Sequence, residues 1–363
     1  MKNTFGTSVT LTLFGESHGK MIGAVLDGLT PGIEIDESFI SHQLSLRKAY
    51  GNISTKRHED DEFKIVSGVF ENKTTGTPLC ILIENKDTKS GDYEKTKNLL
   101  RASHADFTAY CKYHGFQDYR GGGHFSGRIT APLVAAGAIA LKMLEKKNIF
   151  VGTHIKNLNG ILDRDFENTL DDIKYLSSES FAVLDKNVKE KMIERIKEAA
   201  KNGDSVGGIL ESVVSGMPCG VGEPWFDSVE SQLSHILFSV PAVKGVEFGT
   251  GFGFAERLGS EVMDEFIEVD GKIRTKANNN AGINGGITNG EDIVFRSVIK
   301  PTPSIFKEQN TVNIETNENK KFVINGRHDP AIIHRARVVV DSVTALCIVD
   351  MLTQRFPTDY FLE

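Results

Sequence analysis

The sequence predicts an α+β fold, and three observations support that class. Segments with strand-like alternation and segments with helical periodicity follow one another without the strict alternation that builds a parallel α/β sheet. Long helical patterns occupy residues 132–147, 185–200 and 331–352. A strand–loop–helix pattern occurs twice: "GAVLDGLTPGI" then "SHQLS" is echoed by "GGILESVVSGMPCGVGEP" then "ESQLS". Gly23 and Gly208 lie 185 residues apart, and Gln43 and Gln232 lie 189 apart, each about half the chain. Shared turn chemistry would make this echo a coincidence; a genuine repeat makes residues 1–363 one domain of two related halves.

Taken in order, "SVTLTLFG" alternates with period two and reads as a strand, and "GAVLDGL" as a second strand after the "ESHGK" loop. "DESFISHQLSLRKA" reads as a helix with Asp36 as N-cap. "YGNISTKRHEDDE" has no periodicity and many charges, so an exposed, mobile loop is expected. "FKIVSGVF" and "PLCILIEN" read as strands of a hairpin joined through "NKTTGT". Pro132 suits the first turn of a helix running to about Lys147. From Asp185 to Ala200, Val188, Met192, Ile196 and Ala199 recur on one helical face, and Asn202-Gly203 supplies the stop. "AIIHRARVVVDSVTALCIVDML" reads as the last helix.

Composition narrows the function classes. A formal net charge of -7 argues against general affinity for nucleic acid or anionic membranes. Cys80, Cys111, Cys219 and Cys347 form no C-x-x-C pair, so neither a zinc site nor a disulfide framework is expected, and a cytoplasmic setting fits. The N-terminus lacks the pattern of a signal peptide. The longest apolar run, Ala131–Leu144, is interrupted by Lys142 and is shorter than the roughly 18 residues of a membrane span. No H-E-x-x-H, G-x-x-x-x-G-K-[ST] or G-x-G-x-x-G pattern occurs, which counts against a metallohydrolase or a nucleotide enzyme.

Chemistry concentrates in islands. "RGGGHFSGR", Arg120–Arg128, places three glycines and two arginines ahead of a helix, a place where backbone can approach an anion closely. "FGESHGK" sets Ser17 and His18 in a glycine-bounded loop after a strand, and "RASHADF" holds Arg101, His104 and Asp106. "KPTPS", Lys300–Ser304, and "GRHDP", Gly326–Pro330, are proline-set turns carrying Lys, Arg, His and Asp. Each alone could be a surface loop; four such islands in one acidic chain point to a functional site.

In this order and at these separations, "FGESHG", "RASHAD", "YRGGGHFSGR", "NNNAGINGGI", "IKPTPS" and "GRHDP" resemble the chorismate synthase family, from about Thr4 to Leu352. The resemblance implies a sandwich of antiparallel sheets around central helices in two pseudo-symmetric halves, assembled as a homotetramer. It implies the anti-1,4-elimination of phosphate and a proton from 5-enolpyruvylshikimate 3-phosphate, with reduced FMN and no net redox change. NADPH is a possible reductant, and a separate flavin reductase the alternative.

The same resemblance assigns residues. His18 matches the group that protonates departing phosphate, His104 the one that protonates reduced flavin, and Ser17 and Ser126 their proton relays. Asp329 matches the aspartate that works with the flavin in taking up the substrate hydrogen. FMN contacts fall on His124, Phe125, Ser126, Pro241, Ala242, Gly285, Lys300, Pro301, Thr302, Pro303, Ser304, Arg327 and Arg47. Arg47, Arg57, Arg120, Arg128 and Arg335 match substrate contacts, while Arg337, inside the last helix, is the arginine expected to be structural. Anions near the two histidines are expected to raise their pKa values. Three departures stand out: His124-Phe125 where relatives carry Arg-Ser, Pro241 where they carry Asn, and "RKAYGNISTKRH" where they carry Arg-Pro-Gly and a further arginine.

Overall fold

The computed structural model describes residues 2–54, 60–86, 97–324 and 329–362. Two five-stranded antiparallel sheets dominate. The first contains β1 (Thr4–Phe5), β2 (Thr10–Gly15), β3 (Met21–Asp27), β4 (Phe63–Ser67) and β5 (Leu79–Glu84), in the order β1-β2-β3-β5-β4. The second contains β6 (Phe150–Leu158), β7 (Ile161–Leu162), β8 (Gly208–Ser215), β9 (Val243–Phe248) and β10 (Ile293–Ile299), in the order β9-β10-β8-β6-β7. The helices are α1 (Glu37–Leu46), α2 (Asp106–Tyr113), α3 (Thr130–Lys146), α4 (Thr169–Leu176), α5 (Lys186–Lys201), α6 (Val229–Leu237) and α7 (Ile333–Arg355).

Packing follows from residue size and polarity. Helix α3 lies against β3 and β5, α7 lies against β6 and β8, and the two helices pack on each other between the sheets. Both are buried nearly all round, as a helix between two sheets must be. Small residues bring them close: a Cβ on Gly137 would stand 2.2 Å from the Ser342 Cβ. One hydrophobic cluster runs through both sheets and both helices. The expected sandwich around central helices is therefore the observed one.

The half-chain echo corresponds to real structure. Strands β3 and β8 are each the middle strand of five, and each leads to a helix, α1 or α6, that packs on the long helix of its own half. Local signals also hold. Asp36 caps α1 by accepting from Phe39 N at 2.9 Å, and Asp185 caps α5 by accepting from Asn187 N at 2.8 Å.

Several expectations change. "FKIVSGVF" is broken at Gly68, whose φ of +81° and close approach to Leu79 turn the chain, so Val69–Phe70 pairs with Lys73–Thr74 in a separate ladder. The last helix starts at Ile333 and continues to Arg355. Residues 55–59 of the expected exposed loop lie outside the described residues, but Ile53 and Asp61 on either side are buried rather than exposed. Residues 127–146 form a helical stretch long and apolar enough to cross a membrane by length and composition, but most of it is buried inside the fold, which makes it a core helix.

Candidate active site

The starts of the two central helices carry buried ion pairs. Arg128 precedes α3 and Arg335 is the third residue of α7, although the positive end of a helix dipole disfavours cations. Anions offset this. Arg335 Nη1 donates to Asp329 at 2.5 Å, and Arg128 Nη1 donates to Asp61. Arg47, at the end of α1, donates from Nη2 to the other Asp61 oxygen at 3.0 Å, and its carbonyl accepts from Arg335 Nε at 2.8 Å. Arg128 is anchored further by the Asn85 side chain at 3.0 Å and the Glu84 carbonyl at 3.3 Å.

This cluster is buried: Arg47 is 7% exposed, Arg128 5% and Asp61 6%. Burial alone would push the Asp61 carboxyl up, but the Arg47 and Arg128 guanidiniums outweigh it and hold its pKa below the ordinary carboxylate value. Arg47 Nε is buried with no hydrogen-bond partner among the described residues. Asp61 thus bridges two guanidiniums, Asp329 engages a third, and one buried Arg47 donor has no partner among the described residues.

The glycine loop adjoins this cluster. Gly121, Gly122 and Gly123 have φ of +59°, +85° and +55°, a run open to glycine and costly for other residues. A Cβ on Gly121 would lie 2.6 Å from His18 Nε2 and from Ser17 Oγ, so the bare backbone is what admits this loop against Ser17-His18. Ser17 N donates to the Gly123 carbonyl at 3.1 Å, and Ser17 Oγ reaches the Arg120 and Gly121 carbonyls. Ser126 Oγ accepts from Arg128 N, which joins the loop to the arginine cluster.

A second group gathers around His104. Its Nδ1 lies 3.0 Å from the Ala102 carbonyl, and its Nε2 lies 3.1 Å from Ser304 Oγ. A carbonyl only accepts, so Nδ1 carries its hydrogen and Nε2 is the position open to a proton. Lys300 Nζ donates to the Ser103 carbonyl at 2.9 Å, and Lys300 N donates to Ala242 O at 2.9 Å. Ser205 Oγ donates to the Thr302 carbonyl, and Val206 N to the Pro330 carbonyl, tying the 300–304 turn to the segment of Asp329. Helix α2 bridges the two groups, starting just after His104 and ending at Tyr113, whose ring meets Phe125 edge-on at 6.2 Å.

The family model of chorismate synthase matches residues 9–353. The chain belongs to the chorismate synthase family. The chorismate synthase of Thermococcus kodakarensis is 44% identical over 350 residues, 96% of this chain and 97% of that one. That of Dehalococcoides mccartyi is 43% identical over 352 residues, 97% of this chain and 96% of that one. A crystal structure of chorismate synthase superposes with a TM-score of 0.77 at 27% identity, covering 97% of this chain and 94% of that one. The protein is accordingly a carbon–oxygen lyase of aromatic amino acid biosynthesis.

Within this chorismate synthase fold, Ser17, His18, Ser126, Arg128, Arg47, Arg335 and Asp329 form one bonded neighbourhood, and His104, Ala242 and Lys300–Ser304 form the adjoining one. Arg120 is turned aside into a two-bond pair with Asp118 at 2.8 Å. His124 is anchored by Nδ1 to the Gly15 carbonyl at 2.8 Å, and Phe125 is exposed. Pro241 shares the turn of Ala242, next to Lys300. Gly285 sits apart from both neighbourhoods, in the tip of a short hairpin whose Gly286 carbonyl accepts from the first residue of α6. Arg57 and Arg327 lie outside the described residues. Arg337 is structural, as expected: it pairs with Asp341 at 3.0 Å and donates to the Leu176 and Glu179 carbonyls.

One electrostatic expectation reverses. Burial, aided by Arg101, lowers the His104 pKa, since the Asp106 carboxylate is already engaged by Arg101. Sequence reasoning also missed Asp61, Asn85 and Asp118. Asp61 stands in the run "EDDE", where nothing local distinguishes the buried carboxylate from its neighbours.

Proposed function

We propose that the protein catalyses the anti-1,4-elimination of phosphate and a proton from 5-enolpyruvylshikimate 3-phosphate, forming chorismate, with reduced FMN bound and no net redox change. The observation that carries this reading is the gathering of guanidiniums at the helix starts, where Arg47 and Arg128 share Asp61, Arg335 pairs with Asp329, and Arg47 Nε is buried with no hydrogen-bond partner among the described residues. A substrate with two carboxylates and a phosphate suits such a cluster, because guanidinium forks bind both groups. Each unit-charge contact near 4 Å is worth about 4 kcal/mol at an effective dielectric of about 20, before desolvation.

The residues present fit FMN. Thr302 Oγ1, in the turn assigned to it, is buried with no partner among the described residues, and Lys300 beside it supplies a cation. Lys300–Ser304, Pro241, Ala242, His124–Ser126 and Arg327 would hold the cofactor, with Gly285 reached only if another part of the assembly brings it near. Reduced FMN, when bound, supplies electron density as an allylic phosphate leaves and a hydrogen without an adjacent carbonyl departs.

The chain's own groups then have definite work. His18, pressed on the glycine loop, donates a proton to the leaving phosphate, with Ser17 beside it as relay. His104 holds a proton at Nε2, next to Ser304, once anionic ligands offset the burial that lowers its pKa. Ser126 orients Arg128 through its backbone nitrogen, and Asp329 completes the site beside Arg335. The continuous core supports one folding unit over residues 1–363, and a cytoplasmic homotetramer completes the reading.

An anaerobic assay with dithionite-reduced FMN and 5-enolpyruvylshikimate 3-phosphate tests it. Phosphate release and chorismate absorbance are expected; full activity with oxidised FMN alone, or none with reduced FMN, overturns it. Repetition with NADPH as sole reductant separates a protein that reduces its own flavin from one served by a separate flavin reductase.

A further inference from the structure

Asp61 has no part in the roles assigned so far, yet it links the two most deeply buried arginines of the site. Its two carboxylate oxygens are divided between them, Oδ1 to Arg128 Nη1 and Oδ2 to Arg47 Nη2. The two arginines depend on it unequally. Arg128 has independent anchors in Asn85 Oδ1 and the Glu84 carbonyl, at the end of β5. Arg47 has Asp61 as its one side-chain hydrogen-bond partner among the described residues, and its Nε is buried without any.

Placement therefore passes from β5 to Arg128, from Arg128 to Asp61, and from Asp61 to Arg47. Without the carboxylate, two buried like charges would repel across the gap it fills. The backbone at Asp61 has φ of +53°, a left-handed conformation that aspartate tolerates better than most residues. Such a conformation persists where the surrounding contacts over-determine it, and the double guanidinium grip is that contact.

We propose that Asp61 is a positioning residue for substrate, holding Arg47 against the anchored Arg128 so that the open Nε of Arg47 is presented to an anionic group of the substrate. The inference rests on the elimination reading above for its substrate, and on geometry alone for the carboxylate bridge. Asp61 touches no reacting atom in this account; it acts through Arg47.

The test uses full-length Asp61→Ala and Asp61→Asn in the anaerobic assay. Loss of a charge-assisted contact predicts a KM for the phosphorylated substrate raised about 10- to 100-fold, with kcat within about 3-fold of the unsubstituted protein. Asp61→Ala leaves a carboxylate-sized gap between two guanidiniums, so sodium formate should lower its KM toward the original value, while formamide and sodium chloride at equal concentration should not. Asp61→Asn, with the gap filled by an amide, should show no formate rescue. Formate should also raise the melting temperature of Asp61→Ala selectively, a readout that needs no substrate. An unchanged KM in both variants, a loss confined to kcat, or a folded Asp61→Ala indifferent to formate in both KM and melting overturns the proposal. If the unsubstituted protein fails to turn over the substrate, the elimination reading falls, and selective formate stabilisation of Asp61→Ala still decides the bridge.

Discussion

On the second sheet, Glu247, Arg296, Glu211 and His154 stand side by side across β9, β10, β8 and β6, and at the helix starts Arg47, Asp61, Arg128, Arg335 and Asp329 make a network of similar size. The sheet network closes on itself. Arg296 donates to Glu211 at 2.8 Å and to Glu247 at 2.9 Å, while His154 bonds Asp163 at 2.8 Å through Nδ1 and Glu211 at 3.2 Å through Nε2. Asp163 also accepts from Leu184 N and Asp185 N, which pins the approach to α5. Among the described residues no buried side-chain nitrogen or oxygen of this sheet network lacks a partner, whereas the helix-start network keeps Arg47 Nε buried without one. A buried network that holds structure satisfies its own donors and acceptors; one that awaits a ligand leaves a donor unsatisfied.

Substitutions should separate the two networks by what they damage. The largest effect is expected at the candidate site: His18→Ala and His104→Ala should each lower turnover at least about 10²-fold, the usual contribution of a positioned acid–base group, while FMN still binds and the melting temperature stays near its original value. Near-normal rates in both variants would remove the functional half of the contrast. Glu211→Gln should instead cost about 3 kcal/mol of unfolding free energy, because it strips a buried His154 and Arg296 of their shared counter-charge. Urea unfolding measures this loss, and KM should stay within about 2-fold; a large KM change would show that the sheet network belongs to the site after all.

Two buried histidines sharpen the contrast through pH. Burial alone would lower the His154 pKa, but Asp163 and Glu211 outweigh it and raise it above the ordinary value. Its stabilising contribution is complete below the unfolded pKa of about 6.5 and is lost as pH rises through the folded value. His334, 1% exposed and stacked on Phe181 at 5.8 Å, has Ser54 Oγ against Nε2 at 2.8 Å and no counter-charge among the described residues. Burial, followed by Arg335, lowers its pKa to about 3. Here the unfolded chain binds the extra proton, so stability falls as pH drops below about 6.5 and continues to fall toward the folded value of about 3. Between pH 8 and pH 5 His334 should cost the fold about 2 kcal/mol. His334→Phe should flatten that part of the acid limb in urea titrations at the two pH values; an unaltered limb would mean that His334 does not stay neutral in the fold.

What could be read from the sequence was what local chemistry specifies. The cap at Asp36, the face Val188–Met192–Ile196–Ala199 and the Gly23/Gly208 echo each depend on residues within a turn or two of their own element, and all correspond to observed elements. Strand β10 escaped notice because Arg296 interrupts its apolar alternation, and the charge is satisfied by Glu211, 85 residues away. Asp61 was invisible for the same reason, its partners lying 14 and 67 residues distant. Motif islands identified Ser17, His18, His104 and Lys300–Ser304 as residue types in sequence, but the bond from His104 to Ser304 spans 200 residues and exists only once the sandwich closes. The direction of the His104 pKa shift could not be inferred either, since it depends on burial and on Arg101 having already engaged Asp106.

The smallest expected effect tests whether the two halves are alike where no ligand is involved. Helices α1 and α6 occupy corresponding places, and each is capped at the third residue after its N-cap: Asp36 accepts from Phe39 N at 2.9 Å, Ser228 from Ser231 N at 3.1 Å. The acidic cap is the better one at a positive helix end, because its hydrogen bond is charge-assisted and is retained at any pH that keeps the carboxylate ionised; the Ser38 hydroxyl bond and the Phe39 N–H hold the Asp36 pKa low. The serine cap carries no charge, so its contribution should not vary with pH. Ser228→Ala should cost about 1 kcal/mol at every pH between 4 and 8. Asp36→Ala should cost stability near neutrality and progressively less as the medium is acidified toward the unfolded carboxyl pKa and below it, since the unsubstituted protein then loses the ionised cap as well. Parallel pH dependence for the two substitutions would show that α1 is held by packing on α3 rather than by its cap, and the likeness of the halves would then rest on the core alone.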